Sequence, residues 1–216
     1  MALILAFSRQ LPFLYRAQQE RVWEDRKNYP PGELAGETLL VVGLGGTGLE
    51  TARRAAGFGM RIVATRRHTD SAKTEFVGAV HPPEALHRLL PEADWVAVCT
   101  PLTRDTRDSF GDAEFALMKE TAYIVCVTRG GIINTEALLR AIDGGEIAGA
   151  GLDVTDPEPL PSDHPLWERD NVIITPHASG HSPNAGKRMF ELLCENVRRY
   201  ANDEPLLNVV DLGLQY

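Results

Sequence analysis

Short apolar runs alternate with stretches of helical spacing along almost the whole chain. Thr38 to Val42, Arg61 to Thr65, Trp95 to Cys99, Tyr123 to Val127, Ile147 to Leu152 and Val172 to Thr175 each read as a strand. Their apolar character is nearly continuous, as a strand covered on both faces requires. Helices are predicted over Gly46 to Phe58, Pro83 to Leu90, Asp112 to Met118, Thr135 to Asp143 and Pro183 to Tyr200. Strands that alternate with helices in this way predict an α/β fold with a doubly wound parallel sheet. Ahead of the turn at Pro30-Pro31-Gly32, the positions Leu3, Leu5, Phe7, Leu11, Phe13 and Leu14 predict a helix, a break at Pro12 and a second helix leading into a charged run, Glu20 to Lys27.

Composition narrows the picture by exclusion. With 216 residues, of which 44% are hydrophobic and 24% charged, the chain is neither disordered nor a small disulfide scaffold. Thirty acidic against 22 basic residues give a net charge of −8, which argues against a nucleic-acid partner. The three cysteines, Cys99, Cys126 and Cys194, lack paired short spacings and are expected to be reduced thiols in the cytoplasm. The apolar start Ala2 to Phe7 lacks a signal-peptide pattern, and no run is long enough to span a bilayer, so no membrane partner is expected.

The sharpest chemical signal is Gly43-Leu44-Gly45-Gly46-Thr47-Gly48, a GxGxxG turn placed directly after a strand and opening a helix. Gly43 permits the tight turn, Gly45 lets the backbone approach a pyrophosphate, and Gly48 lets the helix pack on the strand, while the helix N-terminus attracts the anion. This is a dinucleotide-binding turn of the Rossmann type. The second strand of such a unit usually ends in a carboxylate that accepts hydrogen bonds from the NAD ribose, yet here the position is Arg66, with Arg67 beside it. A guanidinium cannot accept such bonds but pairs bidentately with a phosphate, so Thr65-Arg66-Arg67 points to NADP, with NAD still possible.

Further motifs carry a resemblance. The glycine turn, Pro101-Leu102-Thr103, Thr128-Arg129-Gly130-Gly131, the segment Gly151 to Pro159 and Thr175-Pro176-His177 are similar in order and spacing to the D-isomer-specific 2-hydroxyacid dehydrogenases. The resemblance implies a hydride transfer between a nicotinamide cofactor and a small 2-oxo or D-2-hydroxy acid, with glyoxylate and hydroxypyruvate as examples. It implies that Arg129 holds the substrate carboxylate and polarises its carbonyl, and that His177, paired with Glu158, donates the proton. It places Asp153 near the nicotinamide carboxamide and adds Gly46, Thr47, Thr65, Pro101, Val127, Ser179 and Gly180, with His177, to the cofactor contacts. It also implies a homodimer and a division into linking and dimerisation helices (1–29), a dinucleotide-binding domain (30–182) and a helix and tail returning toward a substrate domain (183–216).

Three departures qualify these expectations. Cys126 stands where the family often has Asn, so a hydrogen bond fixing the nearby backbone is expected to be lost. Thr47 replaces a branched aliphatic residue. The family carries most of a substrate domain ahead of the point that matches residue 1, so a shortened form lacking one wall of the cleft is expected. A non-catalytic dinucleotide sensor is therefore the alternative to an enzyme; Arg129, Glu158 and His177 count against it. A methyltransferase is disfavoured by Arg66, and a formate-type enzyme by Glu158. Cys99 and Cys126 are read as core fillers, and His68, His81, His87, His164 and His181 as surface or packing residues, with no metal expected.

Overall fold

A computed structural model describes residues 1–69 and 75–213, and it divides the chain into two compact units, Met1–Pro176 and His177–Tyr216. The first is built on a sheet of seven parallel strands in the order β3-β2-β1-β4-β5-β6-β7. These are β1 (Thr38–Val42), β2 (Arg61–Thr65), β3 (Ala79–His81), β4 (Trp95–Val98), β5 (Tyr123–Cys126), β6 (Gly149–Leu152) and β7 (Val172–Ile174). The order reverses between β1 and β4, where an open α/β sheet forms its ligand crevice. The doubly wound parallel sheet read from the sequence is the observed architecture.

Successive strand residues point to opposite faces, and this alternation divides the core in two. Leu39, Val41, Trp95, Ala97 and Val125 face one side, where they meet α1 (Ala2–Ser8), through Ile4 and Phe7, and α3 (Gly46–Ala56), through Ala52 and Ala55. Leu40, Val42, Val96, Val98 and Ile124 face the other, against Leu89 of α4 (Leu86–Leu89), Phe115 of α5 (Asp112–Phe115), and Leu138 and Ile142 of α6 (Thr135–Gly144). Local signals fix the ends of α6: the Asn134 side chain accepts from the Ala137 amide at 2.9 Å, and Gly145 closes the helix in the left-handed conformation.

Several elements depart from the predicted ones. The break near the N-terminus falls at Arg9 and Gln10, and Pro12 lies in the first turn of α2 (Leu11–Gln19), where its missing N–H costs nothing. The charged run beyond Gln19 is not helical except for a single 3-10 turn, Arg26–Asn28. Pro83 to Leu90 is a 3-10 turn followed by the single α turn of α4, with a second 3-10 turn beginning at Leu90. β3 was not foreseen: three residues are too few to display a period.

The second unit contains α7 (Ala185–Ala201) and the segment after it. Asn196 ties the two together, donating to the Leu207 carbonyl at 3.1 Å and accepting from the Leu207 amide at 2.8 Å. No residue of α7 is buried, and Met189, Phe190, Leu193, Val197 and Tyr200 are all exposed. Residues 214–216 of the predicted tail lie outside the described residues. No helix among the described residues is long and apolar enough to cross a membrane.

At the amino edge of the sheet one carboxylate joins three strands. Asp94 accepts from the Thr38 amide at 2.8 Å and from Lys119 at 2.6 Å, while its own backbone bonds to Thr38 and Tyr123. Burial alone would raise its carboxyl, but the Lys119 ammonium and the Thr38 amide together hold it below its ordinary value of 3.8. A depressed carboxylate contributes stability that is present above the unfolded-state pKa and lost as pH falls through the folded one. Urea midpoints measured from pH 6 to pH 2 are therefore expected to fall less steeply in Asp94→Asn than in the parent. Parallel curves would remove Asp94 from the acid response.

Candidate active site

The glycine turn shows which glycines the protein needs for itself and which it leaves open. Gly43 has φ +96°, and a β-carbon there would lie 2.7 Å from Thr100 Cγ2; at Gly48 it would lie 2.0 Å from the Gly43 carbonyl oxygen. Both positions are closed by the chain's own packing. At Gly45 and Gly46 a β-carbon would meet nothing within 4 Å. The two open positions lie where α3 begins, and no side chain caps that helix, so its first amides are left for a ligand. Beside the turn, the Thr100 hydroxyl is buried with no hydrogen-bond partner among the described residues. An open backbone cradle, uncapped amides and an unsatisfied hydroxyl fit a dinucleotide pyrophosphate, with Gly43 to Gly48 as the residues that would hold it.

The end of β2 serves two purposes. Thr65 is buried and acts as a pin: its hydroxyl and carbonyl accept from the Gly43 amide at 3.3 and 3.2 Å, and the carbonyl also takes the Leu44 amide at 3.0 Å. Arg66 is half-buried, and its amide donates to the His81 carbonyl at 2.8 Å. Arg67 is exposed and lies 3.6 Å from Asp105, in the loop that follows β4. That loop starts at Pro101 and is shaped by Thr106, whose hydroxyl donates to the Pro101 carbonyl at 2.7 Å and accepts from the Thr103 amide at 2.8 Å. Sequence reading passed over Thr106 and Asp105, because neither belongs to a motif.

The loops after β5 and β6 are pressed together. A β-carbon at Gly130 would lie 1.8 Å from the Thr155 carbonyl oxygen, so Arg129 is brought beside the segment that carries Asp153 and Glu158. Arg129 is exposed, and its guanidinium donates to the Thr128 carbonyl at 2.7 Å. Val127, just before it, is half-buried. The expected loss of a backbone tie at Cys126 is corrected here: its thiol reaches the Arg129 carbonyl oxygen at 3.7 Å and donates to it, a weaker bond than an amide would make.

Asp153 is 2% exposed, donates its amide to the Cys126 carbonyl at 2.9 Å, and accepts from the Thr175 hydroxyl. Glu158 is exposed on a braced loop: Thr135 donates to the Asp156 carbonyl at 2.6 Å, Thr155 to the Pro157 carbonyl at 2.8 Å, and Arg107 lies 3.3 Å from the Asp156 carboxylate. The first unit thus gathers the glycine turn, Arg66, Arg67, Pro101, Val127, Arg129, Asp153 and Glu158 on the carboxyl side of its sheet.

His177 is the first residue of the second unit, half-buried, with φ +52°. That region is uncommon for any residue with a β-carbon and is found repeatedly at functional positions. Ser179 and Gly180 follow it in an exposed turn closed by the His181 amide on the Ala178 carbonyl at 3.0 Å.

Burial and local contacts describe several of the other cysteines and histidines that the sequence singled out. Burial pushes the Cys99 thiol up to about 12 and raises that of Cys126, so neither is a thiolate nucleophile. His164 accepts from the Leu166 amide, His87 pairs with Glu114, and His81 receives Arg88. Among the described residues no group of three metal-ligating side chains converges.

Similarity to known proteins matches this geometry. The family model for the D-isomer specific 2-hydroxyacid dehydrogenase NAD binding domain matches residues 1–179. A glyoxylate reductase of Korarchaeum cryptofilum is 39% identical over 183 residues, which cover 83% of this chain and 53% of that protein. A D-3-phosphoglycerate dehydrogenase of Methanocaldococcus jannaschii is 37% identical over 212 residues, 98% of this chain and 40% of that one. The chain thus spans about half the length, or less, of these curated relatives. Among solved structures, a D-isomer specific 2-hydroxyacid dehydrogenase of Xanthobacter autotrophicus Py2, in complex with NADPH and MES, superposes with a TM-score of 0.88 at 34% identity, covering 99% of this chain and 85% of that one. A seven-stranded parallel sheet with an open glycine turn, matched by the family model over most of its length, places this chain among the D-isomer specific 2-hydroxyacid dehydrogenases, as a bearer of their NAD-binding domain.

Proposed function

We propose that the chain belongs to an NADP-preferring reductase of small 2-oxo acids, working in reverse on D-2-hydroxy acids, with glyoxylate and hydroxypyruvate as the first substrates to test. The carrying observation is the close approach of Gly130 to Thr155, which puts Arg129 next to the Asp153–Glu158 segment on the carboxyl side of the sheet. A dinucleotide lying on Gly43 to Gly48 would extend along this side from Arg66 toward Asp153. When bound, the nicotinamide supplies or accepts the hydride.

Each side chain then has a task. Asp153 is held by Thr175 and the Cys126 carbonyl, so its buried carboxylate is fixed in place to accept from a carboxamide and orient the ring. Arg129 offers a planar fork of donors to the substrate carboxylate and draws charge from the carbonyl oxygen. His177 is assigned as the proton donor to that oxygen and Glu158 as its acidic partner, roles that the family resemblance carries. The phosphate unique to NADP falls to Arg66 and Arg67, and the NADPH bound to the Xanthobacter relative supports this choice.

The reading extends to assembly and compartment. Ile4 and Phe7 are buried in the chain's own core, whereas α2 leaves Leu11 and Tyr15 exposed beside a groove lined by Ala6, Pro12 and Leu14. A homodimer would therefore use the α2 face, and Tyr15→Glu is expected to halve the mass that light scattering reports. An unchanged mass would rule that face out. Three free thiols, Cys99 and Cys126 buried and Cys194 exposed, suit the cytoplasm.

Two further outcomes test the chemistry. NADPH is expected to bind at least about tenfold more tightly than NADH, about 1.4 kcal/mol, and Arg66→Ser to erase the difference. Equal affinities for the two cofactors in the parent, measured by calorimetry, would overturn the preference. His177→Ala is expected to slow NADPH-dependent glyoxylate reduction about a hundredfold or more while leaving NADPH affinity within about twofold. Undiminished turnover would take the proton-donor role from His177; NADPH binding without turnover in the parent, for every 2-oxo acid offered, would favour the sensor reading.

A further inference from the structure

We propose that His81, held in one tautomer by Arg88, is a third ligand for the phosphate that distinguishes NADP from NAD, and that it sets cofactor preference together with Arg66. The inference rests on the NADP reading above and adds residues that no motif marks. His81 ends β3 and is paired in register with Thr65, the residue before Arg66. The Arg66 amide donates to the His81 carbonyl at 2.8 Å, so the two backbones leave the sheet side by side. The ends of β2 and β3 therefore present an arginine and a histidine on the same carboxyl side of the sheet.

The tautomer follows from the partner. Arg88 Nη2 lies 3.3 Å from His81 Nδ1, and a guanidinium can only donate. Nδ1 must offer its lone pair, so the ring hydrogen resides on Nε2 and that nitrogen is a donor. An N–H donor backed by one guanidinium, on the strand end next to the one that carries Arg66, is matched to an anion with several acceptor oxygens. The extra phosphate of NADP has three: Arg66 can take two in its fork, and the His81 N–H takes the third. NADH presents only a neutral hydroxyl there, to which the same N–H bonds more weakly. His81 therefore discriminates between the cofactors instead of strengthening both. Arg88 touches no cofactor in this arrangement and is a positioning residue that fixes the ring.

Calorimetric titration of the full chain with NADPH and with NADH tests this, using His81→Leu, His81→Gln, Arg88→Ala and, as the reference, Arg66→Ser. His81→Leu is expected to weaken NADPH by about tenfold and to leave NADH unchanged, which also shows that the variant is folded. His81→Gln keeps an N–H donor and is expected to stay within about threefold of the parent for NADPH. Long-range proton–nitrogen spectra of the free protein are expected to show the His81 ring as the Nε2–H form and Arg88→Ala to release it into a mixture. If His81→Leu left the ratio of the two affinities unaltered while Arg66→Ser collapsed it, or weakened both cofactors equally, His81 would not be a ligand, and the NADP reading would stand. If the parent did not discriminate and Arg66→Ser changed nothing, the NADP reading itself would have failed.

Discussion

A single backbone contact governs the carboxyl side of this sheet: α3 is seated so close to the turn before it that position 48 has no room for a β-carbon beside the Gly43 carbonyl oxygen. That closeness aims the first amides of α3 at the space above β1 and leaves Gly45 and Gly46 facing nothing of the protein. A second contact of the same kind, Gly130 against the Thr155 carbonyl, sets the loops after β5 and β6 relative to one another. Backbone packed on backbone is stiffer than side chain packed on side chain. The ligand-bearing loops are thus positioned by the most rigid contacts the fold can offer, as preorganised electrostatics demands.

The two edges of the sheet divide the labour. At the amino edge polar side chains are spent on the protein itself: Asp94 on Thr38 and Lys119, Arg61 on Thr38, Glu37 on the Trp95 indole. The stacked rings of Phe7, Tyr123 and Trp95, with centroids 4.7 and 4.9 Å apart, fasten α1 onto β4 and β5. At the carboxyl edge the polar groups that serve structure are mostly hydroxyls acting over short range, such as Thr65, Thr106 and Thr155, and the charged groups other than the buried Asp153 are left near solvent. Stability is concentrated at one end of the strands so that the other can remain chemically open.

Much of this was legible in the sequence because it rests on local pattern. β1 and β2 are bounded as the apolar runs bound them: β1 is buried throughout and stopped by a glycine, and β2, buried at Ile62, Ala64 and Thr65, is stopped by a basic pair. Arg66 was singled out because it ends the strand that follows the glycine turn, and Arg129 and Glu158 because the motifs around them resemble those of the family. β3 escaped because Ala79-Val80-His81 has no period, and with it escaped the role of His81, which depends on a neighbour joined through the sheet and on an arginine seven residues away. The contacts of Thr175, which was noted only as part of a motif, and of Thr106 escaped for the same reason: they fix Asp153 and the loop after β4, and neither partner is visible along the chain. The thiol of Cys126 was misjudged because a change of residue type suggested a lost bond, whereas the buried sulfur still reaches the Arg129 carbonyl.

What each unit contributes bears on how function divides. The groups suited to a dinucleotide, from the glycine turn through Arg66 to Asp153, are rooted in strands of one sheet whose two core faces are complete without any other chain. Most of the proposed dinucleotide contacts thus lie in that unit, and His177, Ser179 and Gly180 lie in the second. The proton donor assigned to His177 stands at the head of a second unit whose long helix buries no side chain and shows Met189, Phe190, Leu193, Val197 and Tyr200 to solvent. A helix of that length with an uncovered apolar face holds little of its own stability, because helices depend mainly on packing. Whatever covers that face would also steady the segment carrying His177.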